Sequence, residues 1–230
     1  MVTELHPQAL GAILGGSAAQ GRATATSDLD VAVLLPDSDV SRREVIRHQG
    51  RVVELFLNTH ADIPEFFAWD RARRRGTLLF IYDQGRPLTD PYGHVAHARR
   101  LARNVLASGP PALSTAEWEH GRYALTCFLD DLTDTPPDSR YEQLSLADQL
   151  LRQAVDLLTA HHGAWTGIGK WLPRRLLSAD PELGKALLDG HQAVAEHADA
   201  RLLATAVEQV LDLLGGRLLE GYSQPWRTRP

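Results

Sequence analysis

Residues 16–30 read Gly16-Ser17-Ala18-Ala19-Gln20-Gly21-Arg22-Ala23-Thr24-Ala25-Thr26-Ser27-Asp28-Leu29-Asp30, and the apolar run Val31-Ala32-Val33-Leu34-Leu35 follows at once. A Gly-Ser turn and a stretch of small residues lead to two aspartates, two positions apart, at the start of a strand-like segment. Side chains at i and i+2 of a strand share a face, so Asp28 and Asp30 are expected side by side. Carboxylates that close repel one another unless a cation lies between them. Hard divalent ions take oxygen ligands and are often shared with phosphates. A Gly-Ser turn at a helix start offers phosphate close backbone approach, N–H groups and a hydroxyl. The stretch reads as a site for a metal ion and a nucleotide.

Outward from this stretch, Ala12-Ile13-Leu14 reads as a short strand and Leu29 to Leu35 as a longer one. Ser41-Arg42-Arg43-Glu44 has the form of a capping box and predicts a short helix closed by Gly50. Arg51-Val52-Val53-Glu54-Leu55-Phe56-Leu57 predicts a strand. A helix is expected over 63–75, a strand over 77–82, and then a turn at Asp83-Gln84-Gly85-Arg86. Beyond Ser108-Gly109-Pro110-Pro111 the β signal ends. Ser114-Thr115-Ala116-Glu117 and Ser139-Arg140-Tyr141-Glu142 are capping boxes, and Leu144, Ala147, Leu151, Ala154, Val155 and Leu158 recur at helical spacing. Asp180-Pro181 opens another helix, and Arg201 to Leu214 is amphipathic and ended by Gly215-Gly216. The expected fold class is α+β: an α/β unit with a mixed sheet over residues 1–108, then an all-α helical bundle over 112–230. The tail, residues 223–230, is expected to be loosely held.

The formal net charge of -5 argues against nonspecific binding to a polyanion, so nucleic acid is not the expected partner. Cys127 is the single cysteine, which excludes an internal disulfide and a cysteine-rich zinc site. No apolar run reaches the roughly 18 residues of a membrane span. The first residues, with Glu4 and Pro7, lack the basic-then-apolar pattern of a signal peptide. The expectation is a cytoplasmic protein without a membrane partner.

A pair of aspartates rarely holds two metal ions, and Glu54 is the candidate third acid. It shares a strand face with Val52 and Phe56, opposite Val53, Leu55 and Leu57. An acid there is costly to bury unless paired or metal-bound; the alternative is an edge strand with Glu54 in water.

The run Gly16-Ser17-x-Ala19-x-Gly21-x-Ala23-x-x-x-Ser27-Asp28-x-Asp30 resembles the signature of the polymerase-β-like nucleotidyltransferase superfamily. In particular it resembles the small bacterial branch that includes the minimal, kanamycin and lincosamide nucleotidyltransferases. The likeness covers residues 10 to about 90. Beyond them it continues as an architectural similarity to kanamycin nucleotidyltransferase and to minimal nucleotidyltransferases fused to a helical HEPN-like domain. The resemblance implies a Mg²⁺-dependent (or Mn²⁺-dependent) transferase that binds an NTP such as ATP and passes its nucleotidyl group to an acceptor hydroxyl. Asp28, Asp30 and Glu54 would be the catalytic metal ligands, and Gly16, Ser17 and Ser27 would lie on the nucleotide. Many small bacterial members have an arginine where this chain has Gln20; Arg22 either replaces that charge or is solvated. The acceptor by analogy is an aminoglycoside-like small molecule. A protein or RNA acceptor, or a regulatory module that binds nucleotide without transfer, are the alternatives.

In the kanamycin-type enzymes the second domain supplies triphosphate and acceptor contacts. Gly167-Ile168-Gly169-Lys170-Trp171 makes Lys170 a candidate phosphate contact; otherwise Trp171 fills the core while Lys170, Arg174 and Arg175 are solvated. Asp130 and Asp131 are acids near a helix C-terminus, against the macrodipole, and either caps a loop or serves, as Glu54 would, as general base. His161-His162 read as C-terminal helix cations, and His94 and His97 as a solvated i, i+3 pair. Arg71-Ala72-Arg73-Arg74-Arg75 suits a helix end. The arginine-to-histidine spacing of HEPN ribonucleases is absent from the helical half. Apolar positions exposed on that half would support a homodimer.

Overall fold

The apolar run after Asp30 is the middle strand of a mixed sheet. In a computed structural model, which describes residues 1–225, the first unit, Met1–Pro110, comprises α1 (Val2–Leu5), β1 (Gly11–Leu14), α2 (Gly16–Ala19), β2 (Leu29–Leu35), β3 (Arg42–His48), β4 (Arg51–Thr59), α3 (Ile63–Ala72), α4 (Thr77–Gln84), β5 (Arg86–Thr89) and α5 (His94–Ala107). The sheet order is β3-β4-β2-β1-β5. β2 and β4 run parallel, and the other neighbours are antiparallel. Alternate residues of β2 and β4, namely Val31, Val33, Leu35, Val53, Leu55 and Leu57, form one buried face with Leu14 and Val2. Ala32, Leu34 and Ile13 point the other way and are equally buried, as are Leu79 and Tyr82 of α4, which packs on β1 and β2. Burial on both faces explains why β2 reads as an unbroken apolar run.

Two elements differ from the sequence expectation. Residues 41–50, expected as a capped helix, contain the edge strand β3, whose burial alternates with period two. Ser41 caps no helix: its hydroxyl accepts from Thr59 N–H at 2.9 Å and donates to Asp62 at 2.5 Å. Gln49 and Gly50 have φ of 49° and 79° and form the two-residue loop between the paired His48 and Arg51, as a tight hairpin requires. Residues 77–82, expected as a strand, lie in the helix α4. Its first turn is held by Asp70 of α3, whose carboxylate accepts from Leu78 and Leu79 N–H at 2.6 and 3.1 Å. A long-range cap decides a segment whose composition suits either state.

The second unit, Pro111–Pro230, is helical over its described residues: α6 (Thr115–Asp134), α7 (Arg140–His161), α8 (Trp171–Ala179), α9 (Pro181–His197) and α10 (Arg201–Leu213). Its core joins Leu125, Leu129, Leu150, Leu158, Leu187, Leu203, Val207 and Leu211. Ser114 and Glu117 form the expected reciprocal capping box, and Asp180 caps α9 ahead of Pro181. Ser139 precedes α7 without a side-chain capping bond, and Leu144 lies at the exposed edge of the α7 stripe. Of the tail expected to be loosely held, residues 226–230 lie outside the described residues. Among the described residues no helix is long and apolar enough to cross a membrane.

Candidate functional site

The parallel pairing of β2 with β4 sets Asp30 directly opposite Glu54. Asp28 precedes β2 by one residue. One carboxylate oxygen from each of Asp28, Asp30 and Glu54 lies within 4.8 Å of the others, so the three acids converge. This is a hard, all-oxygen, anionic donor set. Such chemistry fits Mg²⁺ or Mn²⁺ and is poorly suited to soft ions.

The Gly-Ser turn is built around the same acids. Gly15 N–H donates to the Asp30 carbonyl at 2.7 Å, which ties the turn to the start of β2. Gly16 has φ of 60°, and a Cβ there would run into the Asp30 carboxylate. Only glycine lets α2 begin this close to the acid. Ser17 is the next residue, and the first N–H groups of a helix have no intrahelical acceptor. Behind the turn, Ile81 of α4 packs on Gly15, and Gln84 accepts from the Gln20 amide at 2.8 Å. The Asp70 cap therefore holds the helix that backs the turn. Burial pushes the Asp70 carboxyl above the usual carboxylate range, opposed by the backbone N–H groups of Leu79, Leu78 and Thr77.

The connecting loop is closed on itself. Ser27 Oγ accepts from Thr24 N–H at 2.9 Å and lies 3.0 Å from the Thr24 hydroxyl. Arg51, at the start of β4, donates to the Ser27 and Thr24 carbonyls at 3.0 and 3.3 Å. Arg22 donates to the Gln20 side chain and is exposed. The structure thus brings Gly16 together with Asp28, Asp30 and Glu54, while the Ser27 hydroxyl and the Arg22 guanidinium have partners within their own loop.

Reading residues 41–50 as a helix hid one participant. Arg43 of β3 shares the sheet face of Glu54 and donates to it through Nε at 2.8 Å and through Nη2, with its guanidinium 5.2 Å from the Phe56 ring centre. The β-branched pair Val45-Ile46 is the sequence signal that favours a strand there. No such local signal marks Arg51 or Asp70, whose partners lie more than twenty residues and eight or nine residues away respectively.

The remaining candidates lie in the second unit or elsewhere in the first. Lys170 is exposed at the start of α8. The glycines before it have local roles: a Cβ on Gly167 would meet the Trp171 backbone at 2.7 Å, and Gly169 has φ of 52°. Trp171 is half-buried, with Arg174 and Arg175 over its ring at 5.0 and 5.3 Å. Asp130 is paired with Arg217 at 2.6 Å. Asp131 lines an open cleft with Asp134, Tyr141 and Glu142. His162 meets Asp180 at 3.1 Å. In the basic run, Arg71 donates to the Gly109 carbonyl at 2.8 Å and Arg73 stacks on Trp69 at 3.6 Å.

Residues 2–76 match the family model described as "Nucleotidyltransferase domain". Among solved structures, the chain is similar to the crystal structure of a nucleotidyltransferase-like protein from Exiguobacterium sibiricum. The identity is 13%, the match covers 92% of this chain and 72% of that one, and the TM-score is 0.46. A search of curated proteins finds no significant match.

Proposed function

We propose, on the premise that residues 2–76 are a nucleotidyltransferase domain of the polymerase-β-like superfamily, that this protein transfers a nucleotidyl group from an NTP to an acceptor hydroxyl. The observation that carries this reading is the convergence of Asp28, Asp30 and Glu54 beside the Gly16-Ser17 turn. The three carboxylates would hold Mg²⁺ or Mn²⁺, which supplies neutralisation of charge on the phosphates and on the leaving pyrophosphate. Gly16 and Ser17 would receive the triphosphate along their N–H groups, and the Ser17 hydroxyl adds a further donor.

In the transfer, the acceptor oxygen forms a bond to the α-phosphorus as the bond to the bridging oxygen of pyrophosphate breaks. The hydroxyl proton leaves to a carboxylate. Glu54, Asp130 and Asp131 are the candidate acceptors of that proton; Glu54 is engaged with Arg43 and Asp130 with Arg217. Catalysis would rest on positioning and electrostatics rather than on a covalent enzyme intermediate. The acceptor class favoured by the family resemblance is an aminoglycoside-like small molecule, with Lys170 as a further phosphate contact.

A second reading draws on the Arg43–Glu54 pair, which neutralises one acid of the set: a regulatory module that binds nucleotide without transfer. α-Labelled NTPs incubated with Mg²⁺ and fractionated cell extract separate the two. Transfer predicts label in an acceptor fraction with wild type, and a loss of at least about a hundredfold, about 2.7 kcal/mol in the activation barrier, in Asp30→Asn with the fold intact. Label that persists in Asp30→Asn would remove the carboxylates from the mechanism. Tight Mg²⁺-dependent NTP binding with no label in any fraction would establish the regulatory reading.

A further inference from the structure

Three histidines, one distant in sequence from the other two, meet at the other end of the sheet. His60 follows the last residue of β4, and its N–H donates to the Leu35 carbonyl at 3.0 Å. That fixes its backbone at the end opposite Glu54, about 20 Å along the strand at roughly 3.3 Å per residue. α5 begins at His94, after Gly93 with φ of 78°. The Asp90 carboxylate accepts from Val95 and Ala96 N–H at 3.0 and 2.9 Å and locks this first turn. His94 and His97, three apart, then share one helix face. The His60 ring lies 5.4 Å from that of His94 and 6.1 Å from that of His97, centre to centre.

We infer that His60, His94 and His97 form a second metal site, for a borderline divalent ion of the Zn²⁺ type. Imidazole is the ligand such ions prefer, whereas Mg²⁺ prefers oxygen. Two imidazoles on one tetrahedral ion, with Zn–N of about 2.0–2.1 Å, have ring centres on the order of 5 Å apart. The observed spacing is close to that. The ring nitrogens do not all lie within 4.8 Å of one another as the rings stand, unlike the carboxylate oxygens. Rotation of the partly exposed rings about their side-chain torsions is the adjustment that binding requires. Arg100 lies 3.4 Å from Nδ1 of His97 and leaves Nε2 as the coordinating atom. Water completes the coordination, as in open three-ligand zinc sites. The site is independent of the nucleotidyl-transfer reading, because its residues are separate from the carboxylate set.

The test is calorimetric titration of the full chain with Zn²⁺ in excess Mg²⁺, with Co²⁺ absorption as a report of nitrogen ligation. The expected result is one Zn²⁺ bound by wild type and by Asp30→Asn. Affinity should fall at least about tenfold in His60→Ala and in the double variant His94→Ala/His97→Ala. His97→Gln, at an exposed position, serves as the check should either variant lose its far-UV circular dichroism. No Zn²⁺ binding by wild type, equal binding by the histidine variants, or loss of binding in Asp30→Asn would each overturn the inference and leave the three rings as a surface stack.

Discussion

Gly16 is confined twice, by a left-handed backbone and by the Asp30 carboxylate that occupies the space a Cβ would need. Gly21 has a similar φ of 67° but open space around it. Gly16→Ala should therefore cost about 1–3 kcal/mol and displace Asp30, while Gly21→Ala costs about 1 kcal/mol through the backbone alone. Urea midpoints of the two variants check this, and equal losses would mean that the acid yields freely. Arg43 is the second decisive residue, because its guanidinium occupies a carboxylate that a metal ion would share. Its side chain is largely exposed, so the pair is worth about 1 kcal/mol at most. Arg43→Ala should tighten Mn²⁺ binding by about two- to fivefold without nucleotide, as read by electron paramagnetic resonance. Weaker binding would make Arg43 a support for Glu54 rather than a competitor.

At the scale of elements, α4 links the core to the candidate site. Asp70 caps it, Ile81 packs on Gly15, and Gln84 bonds Gln20. Asp70→Ala strips acceptors from buried N–H groups and should lower stability by about 1–3 kcal/mol. Asp70→Asn keeps a carbonyl acceptor and should lose less; the reverse order in thermal melts would contradict the capping role. The same helix marks the limit of sequence reading. β2 and β4 were legible because alternating and continuous apolar patterns are local signals. α4 was not, because Thr77 to Tyr82 suits strand and helix alike and Asp70 is supplied by the preceding helix. β3 was misread because Ser41, just before an edge strand, and Glu44, within it, stand at capping-box spacing. That error concealed Arg43, whereas Asp28, Asp30 and Glu54 needed only the strand period and the pairing of β2 with β4 to be brought together.

At the scale of the whole molecule, a net charge of -5 makes the clustering of three of its carboxylates an electrostatic cost that a bound cation would offset. Each unit has its own core, one of sheet and one of helices, so loss of the acids need not unfold the chain. The central claim is that Asp28, Asp30 and Glu54 act as one divalent-cation site for a nucleotide. Mn²⁺ binding in the presence of an NTP, measured by electron paramagnetic resonance for wild type, Asp28→Asn, Asp30→Asn and Glu54→Gln, tests it most directly. The account predicts that each substitution weakens binding by about tenfold or more with circular dichroism unchanged. Wild-type affinity in all three variants would contradict it.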